Sequence, residues 1–368
     1  MSRTGPVGVG VIGAGVISTQ YLDNLTVFPD VEVLFVADLD LDRARAQADK
    51  YAIPGSGSVE QLLAHPDIEI VVNLTIPAAH VEVAQRALAA GKNVWTEKPI
   101  ALDRESGKKL LADAAAGGLR VATAPDTFLG SGLQAGKRLI DAGRIGPPLT
   151  ALTLFQASGP EEWHPNPDFL YAFGAGPLFD MGPYYLTALV QNLGPVRRVA
   201  ASGSTSRQTR VIATGPRAGE EFAVEVPTHV SALLEFENGA SAQCVFSFQS
   251  ALPRNTGLVE IAGETGTIVF PDPNQFDGDV LLYADGAAEP ERISTTAQGG
   301  RGTGVVDLAR SIRAGVPERA SGEQAYHVLD IMVSISDAID SGQFVTVDST
   351  MARVAALPLD WDPRTATL

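Results

Sequence analysis

The sequence predicts two domains of different class: an α/β domain on a parallel sheet over residues 1–125, and an α+β domain with a large, mainly antiparallel open sheet over residues 126–368. Three observations carry this. Up to Pro125, short apolar runs rich in β-branched residues alternate with helical stretches, a pattern that requires right-handed crossovers and a parallel sheet covered on both faces. From Leu149 onward strand-like runs follow one another with few helices between them. A glycine turn, Gly13-Ala14-Gly15, stands where the first strand would enter the first helix.

In chain order, the first domain has expected strands at Val7–Ile12, Val31–Ala37, Ile68–Asn73, Asn93–Thr96 and Arg120–Ala124. Helical stretches lie between them at Leu41–Tyr51, Ala79–Ala90 and Arg104–Ala116, and Pro125 with Asp126 marks the boundary. A helical bridge, Leu129–Ala142, leads to strands at Leu149–Phe155, Val199–Ser204, Val230–Phe236, Gln243–Phe248, Leu258–Ala262 and Thr267–Phe270. Glu237-Asn238-Gly239 carries the Asn-Gly signal of a tight hairpin. Helices are expected at Gly182–Leu193, Gly304–Ala314 and Gln324–Ser341. One open face of a broad sheet exposes apolar surface unless a partner covers it, so a homodimer or homotetramer through this sheet is expected.

The net charge of −16 excludes nucleic acid as an expected partner, because phosphate neutralisation needs clustered Lys and Arg. A single cysteine, Cys244, forbids an intrachain disulfide and fits a reducing compartment; its strand-like surroundings read as a packed, inert thiol. No apolar run approaches the length that spans a bilayer, so no membrane partner and a cytoplasmic location are expected.

In the glycine turn, Gly13 permits the tight bend, Gly15 lets the backbone approach a pyrophosphate, and the third position, here Ser18, must be small. Val16 and Ile17 open the helix whose N-terminus presents free N–H groups to the phosphates. Asp38, 20 residues beyond Ser18 at the end of the second strand, would accept hydrogen bonds from the adenosine ribose and repel a 2′-phosphate. NAD is therefore expected over NADP. The competing reading of Asp38 is a cap on the following helix. Lys98 follows the strand Asn93–Thr96 and so points into the crevice where parallel sheets bind ligands.

With these residues in view the chain resembles the Gfo/Idh/MocA oxidoreductase family. The likeness includes Asn73-Leu74-Thr75-Ile76-Pro77 with His80, the run Ala90–Pro99 containing Glu97-Lys98-Pro99, and Gly174–Tyr184 containing Asp180. Ala175 stands where family members carry a glycine, and Tyr184 where they often carry a histidine; tyrosine occurs there in sugar-oxidising members. The resemblance implies that Lys98, Asp180 and Tyr184 converge on a substrate hydroxyl as the catalytic group. It also implies that Glu97, Thr75 and His80 line the nicotinamide side.

The residues agree with this chemistry. Asp180 and Tyr184 are four apart and share a helix face, unless Pro183 starts the helix afresh. Cations, the Lys98 ammonium and an oxidised nicotinamide, would favour a phenolate at Tyr184, while Asp180 opposes it. Trp163 could wall a sugar ring and His164 bind a hydroxyl. Alternative readings stay open: a surface lysine, a helix cap at Asp180, a core aromatic at Tyr184, a helix-start role for His80. Glu161, Glu162 and His164 do not make a metal site with the scattered His65, His80, His229 and His327, so no metal is expected. The expected function is hydride transfer between a sugar, inositol or related polyol hydroxyl and NAD. The alternatives are a redox-neutral, NAD-dependent glycosidase and a non-catalytic NAD-binding regulator.

Overall fold

The computed structural model describes residues 4–252, 256–296 and 298–368, and the chain divides into two compact units. The first comprises Met1–Ser131, Ala297–Leu329 and Val354–Leu368, the second Gly132–Thr296 and Asp330–Arg353. The division is interleaved, where a single cut after residue 125 is linear.

Six parallel strands form the sheet of the first unit: β1 (Val7–Ile12), β2 (Val31–Ala37), β3 (Gly55–Gly57), β4 (Ile70–Asn73), β5 (Asn93–Thr96) and β6 (Val121–Thr123). The helices α1 (Val16–Leu25), α2 (Leu41–Lys50), α3 (Val59–Leu63), α4 (His80–Ala89) and α5 (Arg104–Ala116) connect them. β1 and β4 are buried along their whole length, which requires cover on both faces. Side chains set the helix starts: Asp40 caps α2, Ser58 and Gln61 make a reciprocal capping box on α3, and Asp103 caps α5. The strand order β3-β2-β1-β4-β5-β6 reverses between β1 and β4, so the ligand crevice lies at the carboxyl ends of these strands.

The helix Thr303–Ala314, expected with the second domain, belongs to the first unit. The reason is specific. No side chain of its own caps it; the buried carboxylate of Asp126 instead accepts the N–H groups of Gly302 at 2.8 Å and Gly304 at 3.1 Å. The chain after this helix then pairs with the edge strand β6, Thr123 N donating to Ala320 O at 3.1 Å.

Burial pushes the Asp126 carboxyl up to about 6, against the Arg301 guanidinium and the two N–H donors. An unfolded carboxyl titrates near 3.9, so between these values the folded chain binds the extra proton and stability falls as pH rises. The difference amounts to about 3 kcal/mol above pH 6. Asp126→Asn keeps an acceptor for both N–H groups and removes the charge. Calorimetry should find this variant melting several degrees above the parent at pH 8, with the gain gone near pH 4.

The second unit is a nine-stranded sheet with a two-stranded ribbon. Its strands are β7 (Pro148–Gln156), β8 (Val196–Ser204), β9 (Thr209–Val211), β10 (Glu221–Ala223), β11 (His229–Phe236) and β12 (Ser241–Ser247). They continue with β13 (Thr256–Gly263), β14 (Gly266–Phe270), β15 (Val280–Ala284), β16 (Glu291–Ile293) and β17 (Val345–Thr346). The order is β16-β15-β14-β13-β7-β12-β11-β8-β17, with β9 and β10 apart. Within it only β7 and β12 run parallel. The Asn-Gly hairpin joins β11 to β12: Gly239 has φ +90° and Asn238 Oδ1 accepts the Ala240 N–H at 3.0 Å.

Among the described residues, α6 (Ser131–Asp141), α7 (Gly176–Leu193) and the part of the helix Gly322–Ser341 from Asp330 onward belong to this unit, and α7 packs on β7, β11 and β12. On β11 burial alternates strictly, with Val230, Ala232, Leu234 and Phe236 inward. On the sheet's other side Leu152 and Tyr283 are exposed. The helix start expected at Gly182 lies six residues earlier, and Pro183 sits inside α7. Pro177 occupies the first turn, where a missing N–H costs nothing.

Candidate active site

The glycine turn at the end of β1 has the geometry its residues imply. Gly13 has φ +103°, and a Cβ there would lie 2.7 Å from the Leu74 carbonyl oxygen. At Gly15 a Cβ would meet nothing within 4 Å, and Gly15 gives α1 no side-chain cap. The N-terminal N–H groups of α1 therefore face an open cradle that fits an anion such as a pyrophosphate. Ser18 at the third position is fully buried, and its Oγ donates to Gly15 O at 2.6 Å. The departure from glycine thus leaves no polar atom unpaired.

Asp38 is no helix cap; Asp40 is. The Asp38 carboxylate accepts Ala14 N–H at 2.7 Å on one oxygen and Asp40 N–H at 2.9 Å on the other. The acid is thereby fixed beside the glycine turn with acceptor capacity remaining. Leu39, Val16 and Ile76 are 98%, 87% and 60% exposed, three apolar side chains at the carboxyl ends of β2, β1 and β4. Leu39 and Ile76 directly follow Asp38 and Thr75, so the signal for both lies in the sequence. Open space, free N–H groups, an acid and bare apolar surface together fit a dinucleotide.

Lys98 emerges half-buried from the end of β5. Its N–H donates at 3.0 Å to Glu97 Oε2, and Glu97 Oε1 accepts the Tyr21 hydroxyl at 2.8 Å. Glu97 is thus turned inward, and its oxygens hold protein groups where a direct nicotinamide contact was expected. His80 departs from expectation in the same way. It is buried at the start of α4, with Nδ1 2.8 Å from Pro99 O and Nε2 3.0 Å from Thr75 O. Burial holds it below the usual histidine range, while those carbonyls and Glu97 oppose. Both ring nitrogens face protein carbonyls, and the neutral ring donates its single N–H to one of them, Pro99 O or Thr75 O. The Thr75 hydroxyl donates to Asn73 Oδ1 at 2.7 Å, and Asn73 Nδ2 donates to His80 O at 3.0 Å. That loop is knitted to itself and leaves Thr75 half-exposed.

In the second unit, Asp180 and Tyr184 lie one turn apart on the continuous helix α7, so they share a face. Every residue of α7 is buried except Asp180. Trp163 is 66% exposed and packs edge-on against His164, which does the same against Phe169. His164 Nδ1 accepts the Asn166 N–H at 3.0 Å, a bond only an unprotonated nitrogen makes. Burial also lowers its proton affinity, opposed by Asp180 and Asp168. The neutral ring keeps Nε2–H as a donor. Glu161 is consumed by a buried ion pair with Arg210 and a hydrogen bond from Tyr171. Arg210 also donates to Ser158 O at 3.1 Å and Phe248 O at 2.8 Å, anchoring the segment that carries Trp163. Cys244 is buried, and burial pushes its thiol up to about 12, the mark of an inert packing residue.

A six-stranded parallel sheet with this cradle defines a dinucleotide-dependent enzyme class, and similarity to known proteins agrees. Residues 7–124 match the family described as oxidoreductase, NAD-binding Rossmann fold, and residues 133–269 match the GFO/IDH/MocA C-terminal domain. The chain belongs to the Gfo/Idh/MocA oxidoreductase family and is an NAD-binding oxidoreductase. An uncharacterized oxidoreductase, ORF334, of Rhizobium meliloti is 28% identical over 355 residues, covering 93% of this chain and 99% of its own. Trans-1,2-dihydrobenzene-1,2-diol dehydrogenase of Sus scrofa is 27% identical, covering 72% of this chain and 74% of its own. In fold, the chain is similar to levoglucosan dehydrogenase in complex with NADH and L-sorbose, with TM-score 0.83, 20% identity and coverage of 94% and 100%.

Proposed function

We propose that this chain is an NAD-dependent dehydrogenase of a secondary hydroxyl on a sugar, inositol or related cyclic polyol. The observation that carries the proposal is Lys98, held by its own N–H at the carboxyl end of β5 in an NAD-binding sheet. The substrate class draws support from relatives named for a cyclic diol and for levoglucosan. Bound NAD supplies the hydride acceptor. Gly13, Gly15, Val16, Ile17 and Asp38 hold it, with Thr75 beside the ring, and Glu97 and His80 acting by fixing Lys98 and its loop. One of Lys98 and Tyr184 takes up the hydroxyl proton while the other stabilises the charge, and Asp180 orients the lysine or a substrate hydroxyl. Trp163 offers an apolar face to a sugar ring, and the His164 Nε2–H donates to a hydroxyl. Asp38 disfavours a 2′-phosphate, and the nearby Arg43 is paired to Asp40 at 3.3 Å, so NAD is preferred. The exposed sheet face with Leu152 and Tyr283 joins a second copy of the chain, which light scattering at micromolar concentration would reveal as a dimer or tetramer.

The test is a panel of sugars and polyols with NAD and with NADP, followed by NADH absorbance and by product analysis. Stoichiometric NADH with an oxidised sugar, faster with NAD, is the expected result. Release of an aglycone without net NADH would replace this reading by the redox-neutral one, and equal turnover with NADP would remove the role given to Asp38.

A further inference from the structure

The phenol of Tyr21 is fully buried, yet buried volume alone would be filled as well by a phenylalanine without an oxygen to satisfy. The hydroxyl has two partners. It accepts the Trp95 Nε1–H at 3.2 Å and donates to Glu97 Oε1 at 2.8 Å. The other Glu97 oxygen accepts the Lys98 N–H at 3.0 Å. Burial, then Glu97 and Asp126, holds the Tyr21 hydroxyl well above the usual tyrosine range, so it stays protonated and remains a donor. Glu97 N donates to Asn73 O at 2.9 Å, so its backbone is fixed as well.

Tyr21 lies on α1, the helix whose N-terminus forms the open cradle, whereas Glu97 and Lys98 follow β5. The chain Trp95–Tyr21–Glu97–Lys98 is therefore a continuous set of hydrogen bonds that runs from β5 through Tyr21 on the cradle helix α1 to the backbone of the lysine. Each member is buried or half-buried, where hydrogen bonds to a carboxylate are stronger than in water. We propose that Tyr21 is a positioning residue for Lys98, acting through Glu97 to fix the lysine relative to the helix that holds the dinucleotide. This rests on the reading of Lys98 as the residue that handles the hydroxyl proton.

The test compares Tyr21→Phe, Glu97→Gln and the double variant in the full chain, on the best substrate from the panel. Tyr21→Phe should lower kcat by about tenfold or more, the effect of one lost bond to a buried carboxylate. KM and the calorimetric Kd for NADH should stay within about threefold. The double variant should lose no more than the worse single one, because both cut the same chain. Trace acetylation of the NADH-bound protein, with Lys98 read by mass spectrometry, gives a readout independent of substrate. Its rate at Lys98 should change by about threefold or more in Tyr21→Phe. Should that variant not fold, Glu97→Gln alone reads the same split of kcat from KM. Unchanged kcat and labelling, additive losses, or a fall in kcat matched by an equal loss of NADH affinity would overturn the proposal. A Lys98→Met variant that keeps its turnover removes the catalytic reading of Lys98, while the labelling still reports whether Tyr21 positions it.

Discussion

Lys98→Met is expected to lower kcat by roughly 10²–10⁴-fold, the range for removing a group that moves or stabilises a proton in the transition state. NAD affinity should stay within about threefold, because the helix N-terminus and Asp38 are untouched. Methionine keeps an unbranched apolar stem as far as the ε position, and the Lys98 N–H bond to Glu97 is made by the backbone and survives the change. Loss of turnover would therefore report the ammonium. Lys98→Arg separates its two roles. Arginine keeps a charge but does not deprotonate at any working pH. If the lysine is a fixed charge that makes Tyr184 serviceable as a base, arginine should recover part of the activity. If the lysine itself carries the proton, arginine should be as inactive as methionine. Undiminished turnover in Lys98→Met, measured with NADH formation and product together, would remove the lysine from the chemistry.

The first sheet was legible because its central strands β1 and β4 are buried on both faces, so Val7–Ile12 and the end of Ile68–Asn73 are dominated by β-branched apolar residues. β3 was not: Gly55-Ser56-Gly57 has no apolar residue and becomes a strand only by pairing with Phe35–Ala37. The three-residue pair β9 and β10 and the two-residue β17 are tertiary products of the same kind. β15 is different. Val280-Leu281-Leu282-Tyr283 lies between glycines 278 and 286, so its signal was present and was passed over. The start of α7 was hidden because Gly182-Pro183 reads as a fresh helix start and Pro177 as part of a loop, although seventeen of its eighteen residues are buried and packing decides.

The site divides along similar lines. Residues proposed to meet the cofactor or substrate at strand ends carry local signatures: Gly13, Gly15, Asp38 and Lys98 each sit at a fixed distance from a strand. Residues that act on other protein groups do not. Glu97 takes its meaning from Tyr21, 76 positions away, and His80 from Pro99, 19 positions away. Sequence could nominate Glu97 and His80 as polar groups near the lysine, but not reveal that their polar atoms turn inward. Arg210 and Glu161 were likewise invisible as a pair, being 49 positions apart. The segment with Trp163 is anchored by Arg210, which the segment itself does not contain.

The two glycines of the nucleotide turn should fail in different ways, which tests the cradle without any substrate. At Gly13 an added methyl would meet backbone atoms, Leu74 O at 2.7 Å and Leu74 C at 2.8 Å, in a residue with φ +103°. Neither the backbone angle nor the neighbour relaxes cheaply, because Leu74 N donates to Ile12 O at 2.8 Å and fixes that strand end. Gly13→Ala should therefore destabilise the fold by about 2–5 kcal/mol, combining left-handed strain with a displaced strand end. NADH binding should be lost with it. At Gly15 the backbone is extended, φ −75°, and the methyl would meet nothing within 4 Å. Gly15→Ala should melt within a degree or two of the parent, since alanine adopts that angle freely and also restricts the unfolded chain. Its NADH affinity should nonetheless fall by about tenfold or more, because the methyl enters the space where the backbone must approach the pyrophosphate. Thermal melts of the unliganded variants, paired with NADH calorimetry, read both quantities. A Gly15→Ala variant that binds NADH as tightly as the parent would mean that the open space beside Gly15 is not where the phosphates sit.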